Sequence, residues 1–598
     1  MKKRMLAMSL AGVLAMSSLA GCGSDKVGQN ANATDATTKA TETTVTTEAK
    51  EESKGPITTD PITISIFTDM SDKEANVENL WYFKYLEYYM REKGYDLTIE
   101  VSTSESVSQQ VSLMLGTDTL ADLYIGPALK ETQAVMYGSE DKIILDWAPY
   151  LNEETMPNTW ELYQRDPSAV VNSTYHDGGI YALPYLCDRN EAEAVGDYTG
   201  NHAIYVNTKW LEQCKLTNPT NFDEFMNMLR TFKSEIKLES GEDVIPIVDA
   251  GGNRLARYLW ASLGYYGENG TSGLGNVFSI KDGEVYLPAY TDDFDTYIEI
   301  MHTLYDEGLI SKDWYTEDAV AKRGQIASGV AGVIGDWTMT TIVPDTFKDY
   351  VALKPITIGD NDEVYSHMSL AYRFGSIWAS ASTEYPEVLA EMVDWMNSPE
   401  GIVYYFYGPM QGQDPLNMLD GWYIGEDGRV TTKMVEDGTI GSMEAYAQRY
   451  VYPWQYGISR VDNVQLAYEM AGVEKEFETY EITDAVTGEP LTINATNNYS
   501  MEDANGYGRY VVMDEWEGHV TSVRLPQVML TEEVSLEAKE LETIIKDHIT
   551  SESAKFVTGV RPLSEVPAFK EELKAMGVEE YIQIYKDAYA PYMDSIFK

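Results

Sequence analysis

The fold of this chain is decided at Pro61–Thr68, where the sequence reads PITISIFT. Ile62, Ile64 and Ile66 alternate with small polar residues, which is the period of a β-strand with one buried face. The patterns that follow predict a helix, a strand, a helix and a strand over residues 74–92, 96–102, 104–115 and 121–126. This β-α-β-α-β succession predicts an α/β fold with a parallel sheet and right-handed crossovers.

Two loops follow strands of this predicted sheet. Thr68-Asp69-Met70 comes after the first strand, and Gly126-Pro127 comes after the third. Ligands of open α/β sheets bind outside the carboxyl ends of the strands. We therefore expect both loops to border a ligand cleft, with Asp69 as a candidate for hydrogen bonds to hydroxyl groups.

The charge of the chain excludes several partners. The 598 residues include 44 Lys and Arg against 96 Asp and Glu, for a formal net charge of −52. Nucleic acid and anionic lipid headgroups need a basic surface, so neither is an expected partner. Self-repulsion of this size favours the solubility of a crowded surface protein.

Signatures of enzymes and cofactor sites are missing from the sequence. There is no GxGxxG opening a helix, no Walker loop, no GxSxG elbow and no HExxH motif. The six His lack zinc-ligand spacing, and the acidic stretch Asp360–Glu363 lacks the register of an EF-hand. We expect no catalytic residue, no metal and no cofactor. A glycosidase pair of carboxylates stays open, because a sequence does not show the distance between them.

The N-terminus has the organisation of a secretory signal. A basic start precedes a short apolar stretch, Met5–Ala15, which is too short to cross a hydrocarbon core of ~30 Å. The ending Leu19–Cys22 (LAGC) resembles a bacterial lipobox. We predict a lipoprotein signal peptide over 1–21 and lipidation of Cys22. The alternative is an ordinary cleaved signal followed by a stray cysteine.

The segment 22–59 is predicted to be a lipid-anchored disordered linker, since Thr, Ala, Glu, Asn and Asp dominate it. Its anchor would place the protein on the extracellular face of the cytoplasmic membrane. Beyond Cys22 the chain has only Cys187 and Cys214. Two free thiols and a disulfide both remain open, because pairing does not follow from sequence.

The order of several segments resembles extracellular solute-binding proteins of family 1, the substrate receptors of ATP-binding-cassette (ABC) importers. Up to residue 337 these segments are 179–184 (GIYALP), 205–207 (YVN), 304–310 (LYDEGLI) and 327–337 (ASGVAGVIGDW). Near the C-terminus they are 525–533, 554–559, 573–577 and 584–585. These last segments resemble the large oligosaccharide-receptor lipoproteins of Gram-positive bacteria.

The resemblance implies an α/β periplasmic-binding-protein-like fold of type II, similar to maltodextrin receptors. It implies two lobes, a hinge, an interlobe cleft and a helical C-terminal extension. We expect an N-terminal lobe of 60–185 and 353–397 and a C-terminal lobe of 186–352 and 398–598 with helical additions. The hinge crossings are expected near 185–203 and near Leu353. The expected function is that of a monomer that captures an oligosaccharide and delivers it to ABC permease subunits.

A sugar site needs flat rings against C–H faces and planar polar groups for the hydroxyls. The 43 Tyr and 12 Trp suit this chemistry. By the resemblance, Trp337 after Gly335-Asp336 is the ring expected to face the sugar. The candidate ligand-binding residues are Trp337, Asp336, Tyr181, Tyr185, Asp69, Trp260, Trp378, Arg373 and Trp454.

Several candidates have a structural alternative. Asp336 suits a cap or turn, Trp260 lies on an apolar helix face, and Arg373 suits an internal ion pair. Trp454 lies in an aromatic stretch, 450–456, that would roof the cleft. Two other functions also stay open, which are a surface glycan-active enzyme and an adhesion or sensor lipoprotein with the same fold.

Overall fold

The computed structural model describes residues 60–597 except 131–132, 166, 172, 176, 187–203, 251–252, 269–273, 337–338, 340–345, 368–371, 496–500, 502–503 and 529. Its first segment confirms the predicted alternation of strands and helices. The elements are β1 (Ile62–Thr68), α1 (Trp81–Glu92), β2 (Leu97–Ser102), α2 (Val107–Thr117), β3 (Leu123–Ile125), α3 (Pro157–Gln164), α4 (Pro167–Val171) and β4 (Leu183–Leu186).

The second segment carries a second series of strands and helices. These are β5 (Ile204–Asn207), α5 (Thr208–Cys214), α6 (Phe222–Glu235), β6 (Ile245–Asp249), α7 (Arg254–Ser262), β7 (Ser279–Lys281), β8 (Glu284–Tyr286), α8 (Asp293–Asp306), α9 (Ala319–Ala327), β9 (Ala331–Gly335), β10 (Tyr350–Ala352) and β11 (Ser366–His367). Local sequence sets these ends. For example, the Asn221 side chain accepts the Glu224 N–H and caps α6, whose Phe225 and Phe232 are buried.

The remaining chain returns to helices and short hairpins. These elements are β12 (Tyr372–Ala379), α10 (Pro386–Met396), α11 (Pro399–Tyr407), β13 (Tyr423–Ile424), β14 (Val430–Thr431), α12 (Lys433–Glu436), α13 (Met443–Tyr450), α14 (Asn463–Met470), β15 (Glu478–Thr483), β16 (Pro490–Ala495), α15 (Ala504–Glu515), β17 (Val520–Thr521), α16 (Glu532–Val557), α17 (Val566–Ala575) and α18 (Val578–Ile596).

Two main sheets organise the fold. The first has the order β2-β1-β3-β12-β4, in which β1 runs parallel to β2 and β3 and β12 is antiparallel to both of its neighbours. The second has the order β10-β5-β9-β6, with β6 and β9 parallel. Each sheet has its own large hydrophobic core. The two-lobe α/β architecture predicted from the sequence is confirmed.

The chain passes between the two cores three times. It leaves the first sheet after Leu186 and enters the second at Ile204. It returns between Val364, which is in the second core, and Ile377, which is in the first. It crosses again between Phe477, packed on the first core, and Ile482, packed on the second.

The residues of these cores place two lobe boundaries elsewhere than the sequence analysis expected. Residues from Ile402 to Tyr468 belong to the first core, although the sequence analysis assigned 398–598 to the C-terminal lobe. Ile356 and Val364 belong to the second core, so the return lies beyond the expected position at Leu353. The reason is that helices α11, α13 and α14 bury apolar faces in the first core, a pairing that no local pattern reveals.

The end of the chain is a helical extension, as expected. Helix α16 lies along α8, and α18 packs its tyrosines against Phe278, with ring centroids 4.6 Å apart for Tyr585. This extension therefore builds on the second core. Within the described residues, no helix has the length and apolar character needed to span a membrane.

Candidate functional site

The carboxyl edge of the first sheet brings the two predicted loops together. The Thr68 hydroxyl donates to the Ile125 carbonyl at 2.8 Å, which ties the ends of β1 and β3. Next to it, the Asp69 carboxylate accepts the Met70 N–H at 2.7 Å and lies 3.7 Å from the Lys73 ammonium. The Asp69 side chain keeps 26% of its surface exposed. It is therefore able to accept a hydroxyl from outside.

Trp454 lies over the end of β3. Gly126 has φ +97°, and a Cβ there would approach Trp454 Cδ1 to 2.9 Å, so the indole rests on bare backbone. The Tyr405 hydroxyl donates to the Trp454 carbonyl at 2.6 Å from inside the core. The indole itself is half-buried. This geometry holds an aromatic ring at the edge where ligands of such sheets bind.

Two tyrosines extend this ring into an aromatic wall, which we define as Trp454, Tyr456 and Tyr185. Tyr456 meets Trp454 at a centroid distance of 5.7 Å and Tyr185 at 5.5 Å, both close to edge-to-face. Tyr456 is half-buried, whereas Tyr185 is 1% exposed. Tyr185 therefore supports the wall from behind, and Trp454 and Tyr456 form its accessible surface. Trp454 and Tyr456 come from the aromatic stretch 450–456, whose expected role as a roof of the cleft stays a prediction.

Acidic side chains end the parallel strands of the second sheet. Asp249 is the last residue of β6 and accepts the Leu255 N–H at 2.9 Å. Asp336 follows β9 and is gripped by the Arg323 guanidinium at 2.8 and 3.1 Å. Burial and the positive charge of Arg257 lower the pKa of nearby Arg254 to about 10. Asp336 is 1% exposed, so its partner in this structure is Arg323.

A small cavity lies within the second lobe. Its lining includes the ion pair of Arg257 and Glu268, 3.0 Å apart, and the His367 ring, which accepts the Gly267 N–H at 3.1 Å. Burial raises the pKa of Glu268 in spite of the arginine. The volume is about 20 Å³, which is room for about one water. This cavity is too small for a sugar.

Trp378 was predicted to face the ligand, and the structure instead makes it a core residue. Its ring stacks on Tyr124 at a centroid distance of 3.5 Å, and its Nε1 donates to the Pro127 carbonyl at 2.9 Å. The side chain has no exposed surface. Its contact with the cleft is indirect, because it fixes the loop that contains Gly126.

Trp260 and Tyr181 are also packed in the interior, against the prediction that they contact ligand. Trp260 stacks on Tyr297 at 4.5 Å, which is the core alternative weighed above. Tyr181 covers Gly138 and donates from its hydroxyl to Asp177 at 2.5 Å. Tyr181 precedes Tyr185 by four residues, or roughly 13 Å along a strand, so it lies away from the carboxyl edge.

Several other predicted residues lie wholly or partly outside the described residues. Arg373 lies in β12 opposite Tyr185, which places its backbone at the carboxyl edge, but its side chain lies outside the described part of the chain. Trp337, Cys22 and Cys187 also lie outside the described residues. Cys214 is a half-buried free thiol, and burial together with Glu235 raises its pKa. Across the described residues, no group of three His, Cys, Asp or Glu is arranged to hold a metal ion.

Comparison with known families settles the class of this protein. The family model for the bacterial extracellular solute-binding proteins matches residues 69–403, which include the first-sheet loops and both acidic strand ends. The chain belongs to this family. The match spans the first two crossings, so this solute-binding protein shares the sequence pattern of both lobes with its relatives.

The relatives found by sequence and those found by structure are both substrate-binding proteins of ABC transporters. This solute-binding protein is 20% identical over 474 residues to the fructooligosaccharide ABC transporter substrate-binding protein FusA of Streptococcus pneumoniae, covering 76% of this chain and 79% of the relative. The FusA structure with kestose has a TM-score of 0.67 at 15% identity and covers 89% of this chain and 100% of FusA. An HMO-binding protein of Bifidobacterium longum infantis has a TM-score of 0.69 at 18% identity, with 89% and 99% covered. These structures show that the fold is shared.

Proposed function

We propose that this solute-binding protein captures an oligosaccharide between its two lobes and delivers it to the permease of an ABC importer. The observation that carries the proposal is that the half-buried Trp454 and Tyr456 rings and the partly exposed Asp69 carboxylate lie at the same carboxyl edge of the first sheet. Rings suit the apolar faces of a sugar, and a carboxylate accepts its hydroxyls. FusA, a relative of similar length, has kestose as its ligand in a solved structure.

The second lobe would supply the opposing surface. Trp337 directly follows Asp336, and the ion pair of Asp336 with Arg323 fixes the strand end that leads into it. We infer that Trp337 faces the sugar from this side and that Arg373 lies near the hinge. Binding would then favour the closed arrangement through contacts that only the closed lobes make. No bond of the sugar is broken in this scheme.

The membrane side of the proposal rests on the N-terminal sequence. Lipidation of Cys22 would tether the protein outside the cell, and the linker 22–59 would give it a reach of roughly 30 Å. A single tethered body would then act as a monomer. The net charge of −52 is consistent with a receptor that stays in solution above the membrane.

Calorimetric titration with a panel of oligosaccharides tests the ligand class. The panel contains kestose, maltodextrins and xylo-oligosaccharides, with a tripeptide as the control. We expect saturable binding of at least one oligosaccharide and none of the peptide. Binding of the peptide alone would contradict the proposal.

Two further measurements separate the alternative functions. Long incubation of the purified protein with the bound oligosaccharide, followed by chromatography, should return the sugar intact, whereas shorter products would indicate a glycan-active enzyme. Deletion of the gene should abolish uptake of the same sugar. Normal uptake in the deletion strain would favour an adhesion or sensor role.

A further inference from the structure

Two sugar-facing groups of the first lobe come from distant parts of the chain. Asp69 follows β1, whereas Trp454 follows α13. A single sugar ring contacts both only if their separation is fixed. The loop after β1 and the segment after α13 must therefore be joined by contacts of their own.

Arg449, at the end of α13, joins them. Its Nε is hydrogen bonded to the Asp72 carboxylate, and its Nη2 lies 3.0 Å from the Glu74 carboxylate. The planar guanidinium presents these donors in a fixed fork, which a lysine does not do. One side chain of the Trp454 segment therefore grips two residues of the loop that begins at Asp69.

A backbone hydrogen bond lies directly beside this clamp. The Ser71 N–H donates to the Pro453 carbonyl at 2.7 Å, so the neighbours of Asp72 and Trp454 are themselves bonded. The loop is also braced internally, because the Asp72 carboxylate accepts the Glu74 N–H at 2.8 Å. Burial alone would raise the pKa of Asp72, but the bond from Arg449 and the backbone N–H groups lower it. Asp72 is therefore charged at neutral pH.

Trp454 also has contacts with residues outside the loop after β1. Gly126 limits its approach to β3, and the Tyr405 hydroxyl and the Gly457 N–H hold its carbonyl at 2.6 and 3.0 Å. None of these three contacts involves the loop after β1. The direct links between the Trp454 segment and the Asp69 loop are the ion pairs of Arg449 and the Ser71–Pro453 hydrogen bond, which act beside the indirect link through Gly126 and β3.

We propose that Arg449 is a positioning residue of the sugar site, which holds the Asp69 loop and Trp454 as one unit by clamping Asp72 and Glu74. The inference rests on the proposed role of Trp454 in sugar binding. Exposed ion pairs contribute little to folding stability, and the Arg449 side chain is 37% exposed. The clamp is therefore expected to matter for geometry more than for stability.

The test follows the Trp454 ring directly and uses no sugar. The full chain is labelled with 5-fluorotryptophan, and the ¹⁹F resonance of Trp454 is assigned by its loss in Trp454→Phe. In Arg449→Met we expect that resonance to shift or broaden, while the resonances of buried Trp260 and Trp378 stay in place. Asp72→Asn should give the same change, and the double variant should add nothing to it.

Arg230→Met is the matched control. Arg230 makes a similar fork to Glu307 in the second lobe, with both distances 2.7 Å. It should leave the Trp454 resonance unchanged, and both arginine variants should melt within about 3 °C of the wild type. An unaltered Trp454 resonance in Arg449→Met would overturn the proposal, as would equal shifts of all tryptophans. Since no sugar is added, either result leaves the proposed function to its own titration.

Discussion

At the scale of single residues, two tryptophans show what decides between core and cleft. Trp378 is covered by Tyr124 and bonded through Nε1, whereas Trp454 rests on Gly126 and stays half-buried. Both occur in aromatic stretches of the sequence. Their difference depends on what covers the rings, which comes from residues far away along the chain.

Removal of a sugar-facing ring should weaken binding without unfolding the protein. We expect Trp454→Ala, and Trp337→Ala in the second lobe, to reduce oligosaccharide affinity by about 1–3 kcal/mol, by analogy with stacking on nucleic acid bases. Calorimetry with the sugar identified from the panel measures this loss. Trp210→Ala is the control, because Trp210 packs on Phe232 after β5, at the opposite edge of the second sheet from Asp336. Unchanged affinity in a folded variant removes that tryptophan from the site.

Removal of the buried Trp378 should instead lower the stability of the protein. Trp378→Ala leaves a cavity against Tyr124 and should lower the free energy of unfolding by about 3–5 kcal/mol. Guanidinium unfolding followed by circular dichroism measures this cost, and Trp378→Phe should lose less. If the variant were fully stable but failed to bind sugar, Trp378 would return to the list of ligand contacts.

Gly126 offers a test of how closely the indole rests on the backbone. Gly126→Ala places a Cβ 2.9 Å from Trp454 Cδ1, so we expect both a stability loss and at least a tenfold loss of sugar affinity. Gly178→Ala is the control, since Gly178 also has a positive φ but no atom within 4 Å of the added Cβ. Equal affinity losses in the two variants would mean that backbone strain, and not the indole, is responsible.

At the scale of elements, the sequence was most informative where its signals are local. The β1-α1-β2-α2-β3 succession was predictable, because period and turn residues specify each part. The predicted helix over 74–92 is shorter in the structure, since Asn76 caps a short 3₁₀ turn and Leu80 is extended before α1 begins. The insertion of β12 between β3 and β4 was not predictable, because it pairs strands that are far apart in sequence.

The β15–β16 hairpin, next to the third crossing, depends on one buried carboxylate. Asp484 accepts hydrogen bonds from Thr521 Oγ1 and from the N–H and Oγ of Ser522, at 2.6 to 2.9 Å. Burial alone would raise the pKa of Asp484, but these bonds, with those from Val486 and Thr487, lower it below the usual value. Its stabilising contribution is therefore present above the pKa of an unfolded aspartate and lost as the pH falls through the lower folded value.

Asp484→Asn should reproduce this loss at neutral pH. We expect the free energy of unfolding to fall by about 1.5–3 kcal/mol at pH 7 and by less at pH 3, which is below the usual pKa of an aspartate and approaches the lowered pKa of the folded carboxyl. Urea unfolding at both pH values measures the difference. Asp437→Asn is the control, as Asp437 is an exposed turn residue that caps Thr439. A difference that does not depend on pH would exclude the charge of Asp484 as the cause.

At the scale of the whole molecule, the order of segments identified the two-lobe fold, but it did not assign every segment to a lobe. Helices between Ile402 and Tyr468 follow the first sheet's last-added strand β12 and pack on its core. Their apolar faces fit either lobe by pattern alone. Only the packing partners, such as Tyr82 against Tyr405 at 4.7 Å, distinguish the two.

The proposed attachment of the protein to the membrane rests on Cys22. Cys22→Ala should remove the proposed lipid anchor and release the protein into the culture medium, because Cys22 is the residue proposed to carry the lipid. Immunoblots of the cell and medium fractions measure this. Cys214→Ala is the control and should remain with the cells. Retention of the Cys22 variant would show that another contact holds the protein at the surface.

Because the chain passes between the cores, the order of its strands also determines when each sheet becomes complete during synthesis. The first sheet is incomplete until β12 has emerged, and β12 begins roughly 300 residues after β1. At a translation rate of about 5–20 residues per second, the early strands wait on the order of 15 to 60 seconds for their missing neighbour. A chain bound for export gains from this delay, because its first sheet stays incomplete while the N-terminus is taken to the membrane.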